Sequence, residues 1–296
     1  MGTSQFPDLS IKLQSIPRLE CPDPATFASE HVPKGKPLII TGALAGWKAL
    51  ERWKNWDYLL EAARDRKVVL RRLDPSGESF YQTGSLAQYI DELRNDSTPR
   101  RKPSYLAELP LQDVFPDLLG DVPPTPYHHG APEQFSIMMG RTSYAPLHFH
   151  TMTEAISAQV VGSKRFILFH PSASRFLRPC AWHSPMFNFS ELDLSAGVPP
   201  QVARRLRGVD VFEATLNAGE FLYIPVNWWH AVYGGTEFNI LLANFFASQP
   251  NRLHFPYPGL AVVAQSFMRQ LLPPGFQQKR AERLVANRGE VRPETG

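Results

Sequence analysis

A chain of 296 residues with 43% hydrophobic, 20% charged and 11% aromatic residues has the composition of a folded globular protein, which excludes disordered and fibrous classes. Thirty-one Lys and Arg against 28 Asp and Glu leave a formal charge of +3, too small to mark a footprint for nucleic acid. Two cysteines exclude a disulfide framework, the opening residues lack a basic segment followed by an apolar run, and no stretch reaches the roughly eighteen apolar residues of a membrane span, so a reducing compartment, cytoplasm or nucleus, is expected.

Taken in chain order, residues 1–15 carry few apolar anchors and read as a tail. Residues 16–134 read as an α+β region. Within it, Leu38-Ile39-Ile40-Thr41 is a short buried strand ended by Gly42, and Trp47, Leu50, Trp53, Trp56, Leu59 and Leu60 recur at helical spacing. Residues 68–73 return to strand character, and residues 85–93 form a second helix with Ser85 as its N-cap. From about residue 135 to 250 the pattern becomes one of short strands, at 135–139, 158–161, 165–169, 220–224, 229–233 and 237–246, broken by Pro146, Pro171, Pro225 and the Gly234-Gly235 pair. Such punctuation predicts a small barrel or a double-sheet jelly roll. Residues 172–214 lack periodicity and read as a long insertion between strands. Residues 251–296 are expected to hold an amphipathic helix over 259–272, suited to packing on the barrel or on a second subunit as a homodimer, and a charged tail.

The chemistry concentrates in two motifs. In Pro146-Leu147-His148-Phe149-His150 the histidines are separated by one residue in a strand context, which turns both imidazoles to one face and Phe149 to the other. Two imidazoles converging in a barrel suit zinc, iron, copper and nickel alike. A third comes from the strand, proline turn and histidine of the run from Gly219 through Pro225 to His230. Any one of these histidines alone would be read as an ordinary core residue; the combination at this spacing points to a metal. The other six histidines have no partner at ligand spacing.

The run from Gly140 to Phe169, with Gln159-Val160-Val161-Gly162-Ser163-Lys164, and the second motif ending Trp228-Trp229-His230 resemble the core of JmjC-domain hydroxylases. The likeness extends upstream through Ile16-Pro17-Arg18-Leu19-Glu20, Lys36-Pro37-Leu38 and Ser104-Tyr105-Leu106. It covers about residues 16–248 and is nearest to the arginyl-hydroxylase branch. The resemblance implies a cupin-type double-stranded β-helix. It implies Fe(II) at His148, His150 and His230, with 2-oxoglutarate held through Lys164 and lined by Tyr105 and Asn244. Each of the last three also has a bland reading: a solvated charge in a turn, a partly buried aromatic, and an inward hydrogen-bonding residue.

Three positions depart from that family: His150 stands where it has an acid, Ala145 where it has a hydroxyl residue, and Glu154 near the place of an asparagine. They move the sequence towards the wider cupin pattern, in which His-x-His is followed by a ligating Glu. Glu154 fits that slot, but a charged strand-end residue that stays off the metal is the preferred reading of it, and Asn227 replaces the glycine of Pro-x-Gly-x-x-His. The leading expectation is an iron oxygenase that hydroxylates a protein, peptide or small-molecule substrate in a dry pocket walled by Phe149, Phe166, Trp228 and Trp229. Two rivals stand beside it: a metal dioxygenase that uses no 2-oxoglutarate, and a JmjC-like binding module without catalysis.

Overall fold

The computed structural model describes residues 9–73, 79–95, 105–127, 135–181 and 186–248. The expected helix at 259–272, the dimer through it, the charged tail, His128, His129, His183 and His254 lie outside these residues. Fourteen strands are found among those described: β1 (Gln14–Ser15), β2 (Arg18–Glu20), β3 (Leu38–Thr41), β4 (Lys67–Leu73), β5 (Ser79–Ser85), β6 (Tyr105–Pro110) and β7 (Phe135–Gly140). They continue as β8 (Tyr144–His148), β9 (Thr153–Val161), β10 (Ser163–Phe169), β11 (Val211–Asn217), β12 (Phe221–Ile224), β13 (Trp229–Gly234) and β14 (Asn239–Ala247). A smaller sheet runs β1-β11-β10-β13-β8, and a larger one β2-β3-β12-β9-β14-β7-β6-β4-β5. Their facing sides make the double-stranded β-helix, or jelly roll.

Three layers of apolar packing hold this arrangement. Between the sheets lie Ile39, Phe166, Leu168, Leu222, Ile224 and Leu241. Behind the large sheet, Phe27, Trp47, Trp53, Leu59, Tyr89 and Ile90 from the N-terminal helical segments pack on Ile137, Ile156, Phe221 and Leu242. Behind the small sheet, Leu177, Leu194, Val202 and Leu206 of the segment between β10 and β11 cover Leu147, Phe149, Ile167 and Trp229. β9 is therefore buried on both faces from Glu154 to Val161, with Ser157 and Gln159 among its buried residues.

The expected strands at 38–41, 68–73, 135–139, 165–169, 220–224 and 229–233 all form, as do helices Ala49–Arg52, Trp56–Ala63 and Leu86–Asn95. Ser85 caps the last of these, its Oγ accepting from Gln88 N–H at 3.3 Å. Two expectations need correction. Residues 9–15 are not a loose tail: Leu9 is buried behind the small sheet and Gln14–Ser15 pairs in parallel with β11. Residues 211–214 belong to β11 and not to an insertion, because Val211, Phe212, Ala214 and Leu216 bury their side chains while Thr215 and Asn217 remain exposed. A short alternation at the end of a proline-rich stretch is easily lost.

Gly162 makes the two-strand turn from β9 into β10 at φ +68°, and a Cβ there would meet the Phe238 carbonyl oxygen at 2.3 Å. Only glycine fits both conditions. Gly162→Ala is expected to lower stability by at least about 2 kcal/mol, seen as an earlier midpoint in urea unfolding; an unchanged midpoint would show that the turn relaxes freely.

Candidate metal centre

β8 and β13 are antiparallel neighbours, and His230 is the direct register partner of His148. The two imidazoles therefore stand side by side on the inner face, with ring centres 4.2 Å apart. His150 follows the end of β8 and returns to the same place, its ring centre 4.7 Å from that of His230. One ring nitrogen of each histidine lies within 4.8 Å of those of the other two, so the three can hold an ion.

The turn that brings His230 into place is built on Asn227. Its φ of +64° is the left-handed conformation that glycine adopts freely and asparagine tolerates, which accounts for Asn in the glycine slot of the motif. Its N–H donates to the His150 carbonyl oxygen at 3.0 Å, tying the two motifs together across 77 positions of sequence.

The donor set suits a metal. His148 Nδ1 lies 2.7 Å from the Pro146 carbonyl oxygen and His230 Nδ1 3.0 Å from that of Trp228. A carbonyl only accepts, so both Nδ1 atoms carry the proton and both Nε2 atoms keep a lone pair. His150 Nδ1 is buried and has no partner among the described residues. Burial lowers the pKa of all three: His148 downward, His150 to about 3, and His230 well below the usual histidine value, helped in the last two by neighbouring imidazoles. Near neutral pH the three imidazoles are uncharged and available as ligands.

The histidines open into a cavity of about 770 Å³ whose wall includes Arg71, Tyr81, Tyr105, Ala145, Ser157, Phe166, Met186, Leu241 and Phe245. That volume lies within the range of about 300–1,000 Å³ usual for small-molecule sites. Tyr105 is part of that wall. Lys164 is buried, not solvated; its Nζ donates to Ser143 Oγ at 3.2 Å and lies 5.0 Å from the Tyr105 ring centre, next to the cavity wall and not on it. Burial pushes its pKa down to about 7.

Asn244 does not line the cavity. On β14 the odd residues Leu241, Ala243 and Phe245 face inward, while Asn244 pairs with Ile156 and Phe135 on the side packed against the helices. Glu154 is likewise turned away, because the loop at 149–152 resets the alternation before β9 begins. Its carboxylate accepts from the Tyr223 hydroxyl at 2.5 Å and the Ser248 hydroxyl at 2.7 Å, and it is not part of the histidine cluster. Of the expected aromatic walls only Phe166 lines the cavity. Phe149 and Trp229 pack behind the small sheet, and Trp228 Nε1 donates to the Gly35 carbonyl oxygen. Arg71 and Tyr81 were not anticipated; they come from a β-hairpin distant in sequence from both motifs, where only the alternation of β4 could have pointed to an inward Arg71.

The cupin-like domain family matches residues 24–252 of the chain. The chain is 27% identical over 216 residues to the lysine-specific demethylase JMJ30 of Arabidopsis thaliana, covering 70% of this chain and 49% of that protein. It is 26% identical over 235 residues to the Jumonji C domain-containing protein 5 of Drosophila melanogaster, with coverages of 73% and 56%. To the human tRNA wybutosine-synthesizing protein 5 it is 27% identical over 262 residues, 81% of this chain and 80% of that one. It thus spans about half the length of the first two relatives. Among the described residues no helix is long and apolar enough to cross a membrane.

Glu154→Gln is expected to leave the metal content measured by elemental analysis unchanged while lowering stability by about 1–3 kcal/mol, since a buried acceptor pair is disturbed. Loss of metal in a folded Glu154→Gln protein would return Glu154 to the ligand set.

Proposed function

The chain belongs to the cupin-like domain family, and we propose that it is an iron-dependent oxygenase that uses 2-oxoglutarate to hydroxylate a protein, peptide or small-molecule substrate. The observation that carries this reading is the convergence of His148, His150 and His230 on one cavity, with two of the three tautomers set by backbone carbonyls. Three histidine donors would leave a bound ion open to co-substrate and O2. Bound there, Fe(II) with 2-oxoglutarate supplies the oxidising power for insertion of oxygen into a C–H bond.

The chain's own residues do the positioning. His148, His150 and His230 would hold the ion at the cavity wall. Phe166, Leu241 and Phe245 keep that wall apolar and limit water beside the metal. Lys164, whose charge is buried, is offset by an anion, and the distal carboxylate of 2-oxoglutarate is the anion we assign to it. Asn244 drops out of this reading, since it faces away from the cavity. Relatives named as a lysine-specific demethylase and a tRNA wybutosine-synthesizing protein support the class of oxygenase but not one substrate.

One feature favours a second reading, a metal dioxygenase that works without 2-oxoglutarate: all three histidines are neutral donors, so the ion keeps its full charge and accepts an anionic substrate directly. Titration with 2-oxoglutarate under anaerobic conditions, following the Fe(II) charge-transfer band, separates the two. A band that never appears removes the co-substrate and leaves the second reading.

His148→Ala, His150→Ala and His230→Ala are each expected to abolish tight metal binding with the far-ultraviolet circular dichroism unchanged, because the sheets are held by apolar packing. His150→Asp is expected to retain the ion. A single alanine variant with stoichiometric metal would remove that residue from the site.

Lys164→Ala is expected to weaken 2-oxoglutarate binding by about tenfold or more while leaving metal content unchanged. In the wild type, Lys164 titrates near pH 7, and a bound carboxylate favours the protonated ammonium. Binding therefore takes up a proton, and affinity falls as pH rises from about 7 to 9. Calorimetry in two buffers of different ionisation enthalpy measures that proton; a pH-independent affinity in this window would separate Lys164 from the anion.

A further inference from the structure

On the inner face of the large sheet, Arg71 of β4 is the register partner of Tyr81 on β5 and of Tyr105 on β6. The three side chains stand in a row and all line the cavity. Arg71 Nη1 donates to the Tyr144 carbonyl oxygen at 3.1 Å. The preceding residue, Ser143, accepts from Lys164 Nζ. Two cations are thus anchored on consecutive residues at the start of β8, with the Tyr105 ring beside both. Gly234 makes room for this junction: a Cβ there would meet Ser143 Oγ at 2.3 Å.

Charge at this end of the cavity is unbalanced. Neither Arg71 nor Lys164 forms an ion pair with a described residue. Glu108 is the one acid among the described residues lining the cavity, and its charge and that of Arg71 act on Tyr105 in opposite directions. Ala145, next along β8, presents only a methyl group, while Arg71 and Tyr105 line the cavity and Lys164 lies behind its wall beside the Tyr105 ring. One acid against two cations leaves room for a carboxylate.

We infer that Arg71 and Lys164 form a two-cation clamp around Tyr105 that receives the carboxylate of the co-substrate remote from the metal. This rests on the 2-oxoglutarate reading above and adds to it a residue outside both sequence motifs. The two cations have different tasks. Arg71 lines the cavity and meets the anion directly, with a planar fork suited to two parallel hydrogen bonds to one carboxylate. Lys164 lies beside Tyr105 and adds a buried point charge. The clamp therefore selects by charge and reach: a 2-oxo acid with a second carboxylate is held at both ends, and one without it is held at the metal alone.

The test loads the full chain with Mn(II) and titrates it calorimetrically with 2-oxoglutarate and with 2-oxobutyrate, which shares the metal-binding end and lacks the second carboxylate. The wild type is expected to prefer 2-oxoglutarate by about 100-fold. Arg71→Gln is expected to cut that preference by at least about tenfold, with 2-oxobutyrate affinity and metal content unchanged. Arg71→Lys, which keeps the charge without the fork, should fall between; if Arg71→Gln also loses 2-oxobutyrate binding, Arg71→Lys decides the matter. A wild-type preference in the variant that retains 2-oxobutyrate binding removes Arg71 from the clamp and leaves the 2-oxoglutarate reading standing. No binding of 2-oxoglutarate to the wild type removes both.

Discussion

Across the ladder between β8 and β13, His230 stands directly opposite His148, and because side chains alternate along a strand, a slip of one residue on either side would turn one imidazole out of the cavity. That register is held from behind: Leu147, Phe149, Trp229 and Ala231 occupy the alternate positions and are buried under the segment between β10 and β11. The histidine cluster and the packing of the small sheet are thus two faces of the same alternation. Trp229 adds a polar anchor, its Nε1 donating to Ser174 Oγ at 2.8 Å. The Asn227 N–H bond to the His150 carbonyl oxygen then closes the loop side of the site, where no ladder is available to set a register.

The electrostatics of the cavity follow from burial. Three imidazoles withdrawn from water are neutral, so a cation held between them would keep its full charge. At the other end, Lys164 and Arg71 are cations against one acid, Glu108. Between the two ends the wall is lined by Phe166, Met186, Leu241 and Phe245, an apolar surface that screens charge poorly.

Much of this was legible in the linear sequence because it depends on short-range periodicity. The His-x-His spacing shows that two imidazoles share a face, the Pro225 turn marks the approach of a third, and the strands from 135 to 246 announce a jelly roll. The N-terminal helices were equally visible, since Trp47, Trp53, Leu59, Tyr89 and Ile90 recur at helical spacing and do bury one face. Ser85 at its cap and Asn227 in a glycine slot are local choices that the backbone conformation explains.

What the sequence alone determined was the fold class and the donor types available for a metal; which side chains reach the cavity was decided only by tertiary structure. Parity cannot be carried through an irregular stretch, and the loop at 149–152 reset it, so Glu154 turned to Tyr223 and Ser248 and away from the three histidines. Asn244 lay one residue out of phase with Leu241, Ala243 and Phe245, a difference fixed by pairing with Phe135 and Ile156. Arg71 entered the site through lateral pairing of β4 with β6, a contact between strands 34 positions apart that no local pattern encodes. The rival reading of Lys164 as a solvated turn charge beside Gly162 gives way to a buried cation, because the opposing sheet closes over it. Local periodicity reports which residues share a face; only the packing of one sheet on the other decides what that face meets.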